Sequence, residues 1–140
     1  DKYKTDNSVI QAMFEYYREN KQNDKLIAYL KELIKDTNKS DLDYYSKIYR
    51  IESYRLILIS ELKIAQKTSE IQDQYIEILN KNPLDVYMAY EVYNFSKANN
   101  LYDKMLKFYL DTTEKSNRDY RYMMLVANFY KFDEKYDKSI

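Results

Sequence analysis

Two amide and ammonium pairs, Asn94/Lys97 and Asn128/Lys131, recur 34 residues apart and are the side chains of this chain best suited to holding a ligand. An Asn side chain both donates to and accepts from a peptide backbone, and a Lys one helical turn further on can meet a carboxylate. That is recognition chemistry rather than bond-making chemistry. The 140 residues include no His and no Cys, which removes imidazole bases, thiol nucleophiles, disulfides and His/Cys metal sites. Carboxylate pairs remain at Asp41/Asp43 and Glu15/Glu19. Without an imidazole or a Gly-rich phosphate loop beside them they read as solvated helix-start and helix-face residues. No catalytic, metal-binding or cofactor-binding residue is therefore assigned, and the chain is read as no enzyme.

The pairs belong to a longer echo. Val86–Leu106 and Tyr120–Ile140 share Val92/Val126, Asn94/Asn128, Phe95/Phe129, Lys97/Lys131, Tyr102/Tyr136, Asp103/Asp137 and Lys104/Lys138, where chance in this composition gives roughly one or two matches. A period of 34 implies stacked helical hairpins.

Hydrophobic spacing carries the pattern along the chain. Ile10, Met13, Phe14 and Tyr17 form one apolar stripe closed by the polar Glu19–Asp24, and Leu26, Ile27, Leu30, Leu33 and Ile34 form a second, ending in Asp36–Lys39. Ser40 with Asp43 resembles a capping box that opens a long third helix through Tyr45, Tyr49, Leu56, Ile59 and Leu62. Gln66–Ser69 interrupts it, and Ile71, Tyr75, Ile78 and Leu79 carry the fourth stripe. Asn82-Pro83-Leu84-Asp85 is a strong start signal, placing a fifth helix from Pro83 or Leu84 through Met88, Val92 and Phe95 to Asn99-Asn100. Met105, Phe108, Tyr109 and Thr112 mark its partner. Ser116–Asp119 opens a seventh helix through Met123, Val126, Ala127 and Tyr130, and Tyr136-Asp137-Lys138 begins an eighth. Asp24, Asp103 and Asp137 each stand near the start of a second helix, where a carboxylate suits the dipole. The expected fold is all-α, a single domain over 1–140 with hairpins at 8–37, 40–81, 83–115 and 118–140, the last truncated.

Composition narrows the partner class. One domain is expected at this length, and 45% apolar residues suffice for a continuous core. Lys and Arg (23) balance Asp and Glu (23), so there is no global pull towards nucleic acid or anionic membrane. The longest aliphatic run, Leu56–Ile59, is far short of the roughly 20 residues of a membrane helix. Missing Cys leaves the compartment open; a soluble, cytoplasmic placement is preferred to export. The chain opens at Asp1 without Met and stops at Ile140 inside its repeating pattern, as a section of a longer protein would. The 18 Tyr, with abundant Lys, Asn and Ile, agree with an A- and T-rich coding bias. Tyr44, Tyr45, Tyr49, Tyr54, Tyr87, Tyr90 and Tyr93 recur at helical spacing and are expected to pack between helices. With no Gly in the chain, left-handed turn positions are expected to use Asn.

These features resemble the tetratricopeptide repeat (TPR) family. Tyr102-Asp103 and Tyr136-Asp137 match its Tyr-Asp at the turn into the second helix, Tyr17 and Tyr130 its aromatic near the end of the first, and Pro83 its closing Pro. The resemblance implies helix-turn-helix units stacked in a right-handed superhelix whose concave face binds proteins or peptides. The family's small residue midway along the first helix is replaced by Phe14, Ile59 and Tyr93, and Ala127 alone conforms. The interval is also 45 from Asp24 to Ser69 before it becomes 34 from Ser69 to Asp103. The 11 extra residues come close to three whole turns, which keeps a buried face in phase. Tyr16-Tyr17, Leu26–Ile34, the long third helix and Tyr90-Glu91 are also similar to the C-terminal domain of Rgg-type peptide-responsive transcription regulators.

Shifts of 45, 34 and 34 carry Arg18 onto Lys63, Lys97 and Lys131, a basic column on the wall that first helices line in such an array. With Tyr87, Tyr90, Asn94, Arg121, Met124 and Asn128 they make the candidate peptide or partner site. The carboxylate clamp of some TPR proteins is not reproduced, since Tyr90 and Leu125 stand where it needs Lys and Asn. The expected function is a protein- or peptide-binding scaffold using that concave face, its partner a protein or a short, acidic peptide. No direct nucleic acid contact, transmembrane segment or cofactor is expected, and homo-oligomerisation stays open. Two other readings also stay open: a peptide-sensing regulatory domain of an Rgg-type regulator whose DNA-binding domain is missing here, and an exported or lipid-anchored assembly factor.

Overall fold

The computed structural model describes the backbone of residues 6–139 and the side chains of residues 6–134. Seven helices follow one another among the described residues: α1 (Asn7–Glu19), α2 (Asn23–Asn38), α3 (Tyr44–Ile64), α4 (Thr68–Lys81), α5 (Val86–Ala98), α6 (Tyr102–Lys115) and α7 (Tyr120–Ser139). The chain is all-α, as expected. It divides into two compact units, Asp1–Ile71 and Gln72–Ile140.

In the first unit, α2 packs against both α1 and α3. Ile10 and Phe14 of α1, the full α2 stripe Leu26, Ile27, Leu30, Leu33 and Ile34, and Tyr54, Leu58, Ile59 and Leu62 of α3 are buried. The periodicity of α1 and α2 thus located their inner faces. For α3 it did so only at Ile59 and Leu62: Tyr45, Tyr49 and Leu56 are exposed, Tyr45 at 82%. Apolar residues surround this helix on all sides, so spacing alone selects no face. Tyr also tolerates water through its hydroxyl. The extra length of α3, 21 residues against 13 in α1, places Tyr44, Tyr45 and Tyr49 in solvent rather than in a longer core. Of the seven tyrosines expected between helices, only Tyr54 and Tyr93 are buried.

The turns repeat more faithfully than the helices. After α1, the N–H of Lys21 donates to the Arg18 carbonyl (3.1 Å) and that of Gln22 to Tyr17 (2.8 Å). After α3, Gln66 donates to Lys63 (3.1 Å) and Lys67 to Leu62 (3.0 Å). After α5, Asn100 donates to Lys97 (3.4 Å) and Leu101 to Ser96 (2.8 Å). Each is a Schellman cap closed through a left-handed residue, with φ of 54° at Lys21, 56° at Gln66 and 58° at Asn100. These residues stand 45 and 34 apart, the two intervals of the sequence pattern. Asn100 and Asn117 take left-handed positions as expected, but Lys21, Gln66 and Arg118 do so as well. The hydrogen-bond pair that closes the helix offsets the cost of a Cβ in this region, about 1–2 kcal/mol.

In the second unit, α7 packs against α5 and α6, and α5 against α6. Tyr75, Ile78 and Leu79 of α4, Ala89, Val92 and Tyr93 of α5, Met105 and Tyr109 of α6, and Leu125 and Phe129 of α7 are buried. Polar links cross this core. Gln72 donates to the Ser96 hydroxyl (3.0 Å), both side chains being buried. The Tyr109 hydroxyl donates to Asn80 Oδ1 (3.2 Å) and lies 3.4 Å from the Ile76 carbonyl. Desolvation pushes the Tyr109 hydroxyl pKa well above the usual tyrosine range.

Three boundaries differ from expectation. Asp43, not Ser40, caps α3, accepting from the Ser46 N–H (3.0 Å), while the Ser40 hydroxyl donates to Thr37 O (2.6 Å) and closes α2 instead. Helix α5 starts at Val86 under an Asp85 cap, whose carboxylate accepts from Met88 N–H (3.0 Å). The Asn82–Asp85 segment is a turn closed by Asp85 N–H on Asn82 O (3.2 Å). A carboxylate in extended geometry two or three residues before free N–H groups outcompetes the Pro signal. No eighth helix begins at Tyr136, because α7 runs unbroken to Ser139. The fourth hairpin is therefore a single helix among the described residues, and the side chains of Tyr136, Asp137 and Lys138 lie outside them. Asp24 and Asp103 do occupy the first turns of α2 and α6.

Candidate partner-binding surface

The basic column has a common local cause in its first three members. Arg18, Lys63 and Lys97 each lie in the last turn of a helix, and each lends its carbonyl to the Schellman cap that follows. A cation there answers the negative helix end. Lys131 differs, being exposed within the continuous α7.

Arg18 and Lys97 also hold carboxylates. In the first unit, Arg18 Nε lies 3.2 Å from Glu61 Oε1, with the guanidinium 5.8 Å from the Phe14 ring centre. In the second, Lys97 Nζ lies 2.9 Å from Asp133 Oδ1 and 4.9 Å from the Tyr102 ring centre. The Tyr93 hydroxyl donates to the same Asp133 oxygen (3.0 Å). The side chains of Lys97 and Asp133 are each 28% exposed, so Lys97 is tied into the packing of α5 on α7 as well as facing solvent. Glu61 and Asp133 were missed in the sequence. They lie 43 and 36 residues from their cations, and only tertiary packing joins them.

The remaining candidate residues lie on α5 and α7. Tyr87 is 89% exposed and Asn94 is exposed on α5. Tyr90 is half-exposed, its ring 5.2 Å from that of Phe132, which also meets Tyr93 at 5.7 Å. On α7, Met124 is half-exposed and Asn128 half-buried. Arg121 folds back on Asp119 through Nε (3.2 Å) and Nη2 (2.7 Å). Those side-chain bonds, with the Arg121 N–H, hold the Asp119 carboxyl below the ordinary carboxylate range. What joins the two helices is thus Tyr90, Tyr93 and Lys97 against Phe132 and Asp133 rather than Asn94 against Asn128. Ala127, expected where paired helices approach closely, is exposed. The small residues buried on α5 are Ala89 and Ser96.

No helix among the described residues is long and apolar enough to cross a membrane. No family model, curated protein or solved structure matches the chain. What its own residues define is a class, an all-α chain of helical hairpins with exposed aromatic and basic side chains on α5 and α7.

Proposed function

We propose that this chain is a non-catalytic scaffold of TPR-like helical hairpins that binds a protein segment or short acidic peptide on the surface of α5 and α7. The observation that carries this reading is the exposure of Tyr87, Tyr90 and Asn94 on α5 and of Met124 and Lys131 on α7, two helices that pack against each other. Tyr and Met are enriched where proteins bind partners, because they offer large contact area with little polar desolvation. Recurrence of one cap geometry at Lys21, Gln66 and Asn100 supports the repeat reading. So does the packing of α7 on both helices of the preceding pair.

The test is selection of peptides from a random displayed library by the whole chain, followed by anisotropy measurements on the enriched peptides. Acidic peptides with micromolar affinity are expected. The combined variant Tyr87→Ala/Asn94→Ala/Lys131→Glu should weaken them about tenfold, a change of about 1.4 kcal/mol. Its melting temperature should move little, since exposed substitutions usually stay within about 0.5 kcal/mol. Lys97 is left in place because Asp133 depends on it. Equal binding by the variant, or no enrichment, would count against the reading.

A further inference from the structure

The first unit holds a cleft of about 390 Å³ lined by Tyr17, Arg18, Lys21, Asn23, Leu26, Glu61 and Ile64. Glu61 is 5% exposed and is the one Asp, Glu, Lys or Arg side chain buried among the described residues. A buried carboxylate is costly unless its oxygens are satisfied. Here Arg18 Nε meets Oε1 (3.2 Å) and Asn23 Nδ2 donates to Oε2 (2.8 Å). Glu61 engages only the Nε side of the guanidinium. Among the described residues the two terminal nitrogens of Arg18 have no partner, and the side chain is 50% exposed. Arg18 and Glu61 cancel in charge, so exposed Lys21 leaves the cleft with one net positive charge. The other walls are apolar: Leu26 is buried, and Ile64 is 70% exposed although it is aliphatic.

We propose that this cleft binds a small amphiphilic carboxylic acid. Its carboxylate is held by the terminal nitrogens of Arg18 and by Lys21, and its hydrocarbon part lies against Tyr17, Leu26 and Ile64. A planar guanidinium can bridge two carboxylates, and Glu61 fixes its orientation before the ligand arrives. The volume falls in the range of small-ligand sites. That size suits a compact acid better than a length of peptide. The inference is independent of the α5 and α7 reading.

The experiment titrates the isotopically labelled whole chain with sodium octanoate, octan-1-ol, and a short uncharged peptide ending in leucine as acid and as amide, following backbone amide shifts. Octanoate should move Tyr17, Leu26 and Ile64, and octanol should bind at least about tenfold more weakly. Arg18→Gln should weaken octanoate about tenfold or more, the scale of a charged hydrogen bond. Because that change leaves Glu61 short of a partner, Lys21→Gly is the second variant. It relieves a left-handed residue and should raise the melting temperature while weakening octanoate about threefold. Equal binding of octanoate and octanol, or shifts centred elsewhere, would overturn the proposal. So would binding of the peptide acid without octanoate, or an octanoate affinity that Lys21→Gly leaves unchanged.

Discussion

Gln66 carries a Cβ at φ 56° in a turn whose two N–H···O bonds close α3. Gly would occupy that conformation without steric cost, but it also gives the unfolded chain more freedom. The first effect, about 1–2 kcal/mol, exceeds the second, about 0.4–1 kcal/mol. Gln66→Gly should therefore stabilise the chain by roughly 0.5–1 kcal/mol, read as a rise in the denaturant midpoint at unchanged slope. A fall would mean that the Gln66 side chain makes a contact worth more than the strain. The expectation that Asn stands in for Gly was right at Asn100 and Asn117 but blind to Lys21, Gln66 and Arg118. Residue type reports what a turn prefers, whereas the position of the helix end decides which residue must comply.

At the scale of elements, α1, α2 and α4 were legible because their apolar stripes are narrow and flanked by charge. Ile71, Tyr75, Ile78 and Leu79 of α4 are all buried as the spacing requires. Helix α3 and much of α7 were not, since Tyr and Met fit both core and surface: Met123 and Tyr130 are exposed while Leu125 and Phe129 are buried. The polar core of the second unit was also invisible, because Gln72 and Ser96 are 24 residues apart and neither type signals burial. Ser96 has no exposed surface, and its hydroxyl both accepts from and donates to the Gln72 amide, at 3.0 and 3.2 Å. Ser96→Leu should cost about 2–4 kcal/mol, combining overpacking with a buried amide left without its partner. Ser96→Ala should cost about 1 kcal/mol, and denaturant melts of the two variants separate volume from hydrogen bonding. Equal losses would show that volume is irrelevant at this site.

For the whole molecule, zero net charge leaves pH dependence to individual groups. Asp43 is held below the ordinary value of 3.8 by the Ser46 side chain and then its N–H, Asp119 by Arg121, Asp6 by Ser8, and Glu70 below 4.5 by Lys31. A depressed folded value means the unfolded chain takes up protons first as pH falls. The contribution of these groups is complete above about pH 4.5 and is lost through their lower folded values, so thermal melts should weaken gradually below pH 4. Tyr109, Tyr54 and Tyr29 are raised above 10, each mainly by desolvation. Their contribution is complete below pH 10 and is lost as pH rises towards their folded values. A melting temperature that held constant from pH 5 to pH 2.5 would contradict the carboxylate assignments.

The candidate surface was legible only in part. Asn94 and Lys131 follow from the 34-residue spacing and are exposed, and Tyr87 is exposed against the expectation that it packs between helices, while Lys97 serves the α5–α7 packing through an Asp133 that no motif announces. The most direct check is therefore an amide chemical-shift map of the whole chain titrated with a library-selected acidic peptide. Saturable shifts concentrated at residues 87–94 and 121–131 are expected. Shifts centred on other residues, or spread evenly over both units, would contradict the assignment of α5 and α7 as the partner-binding surface.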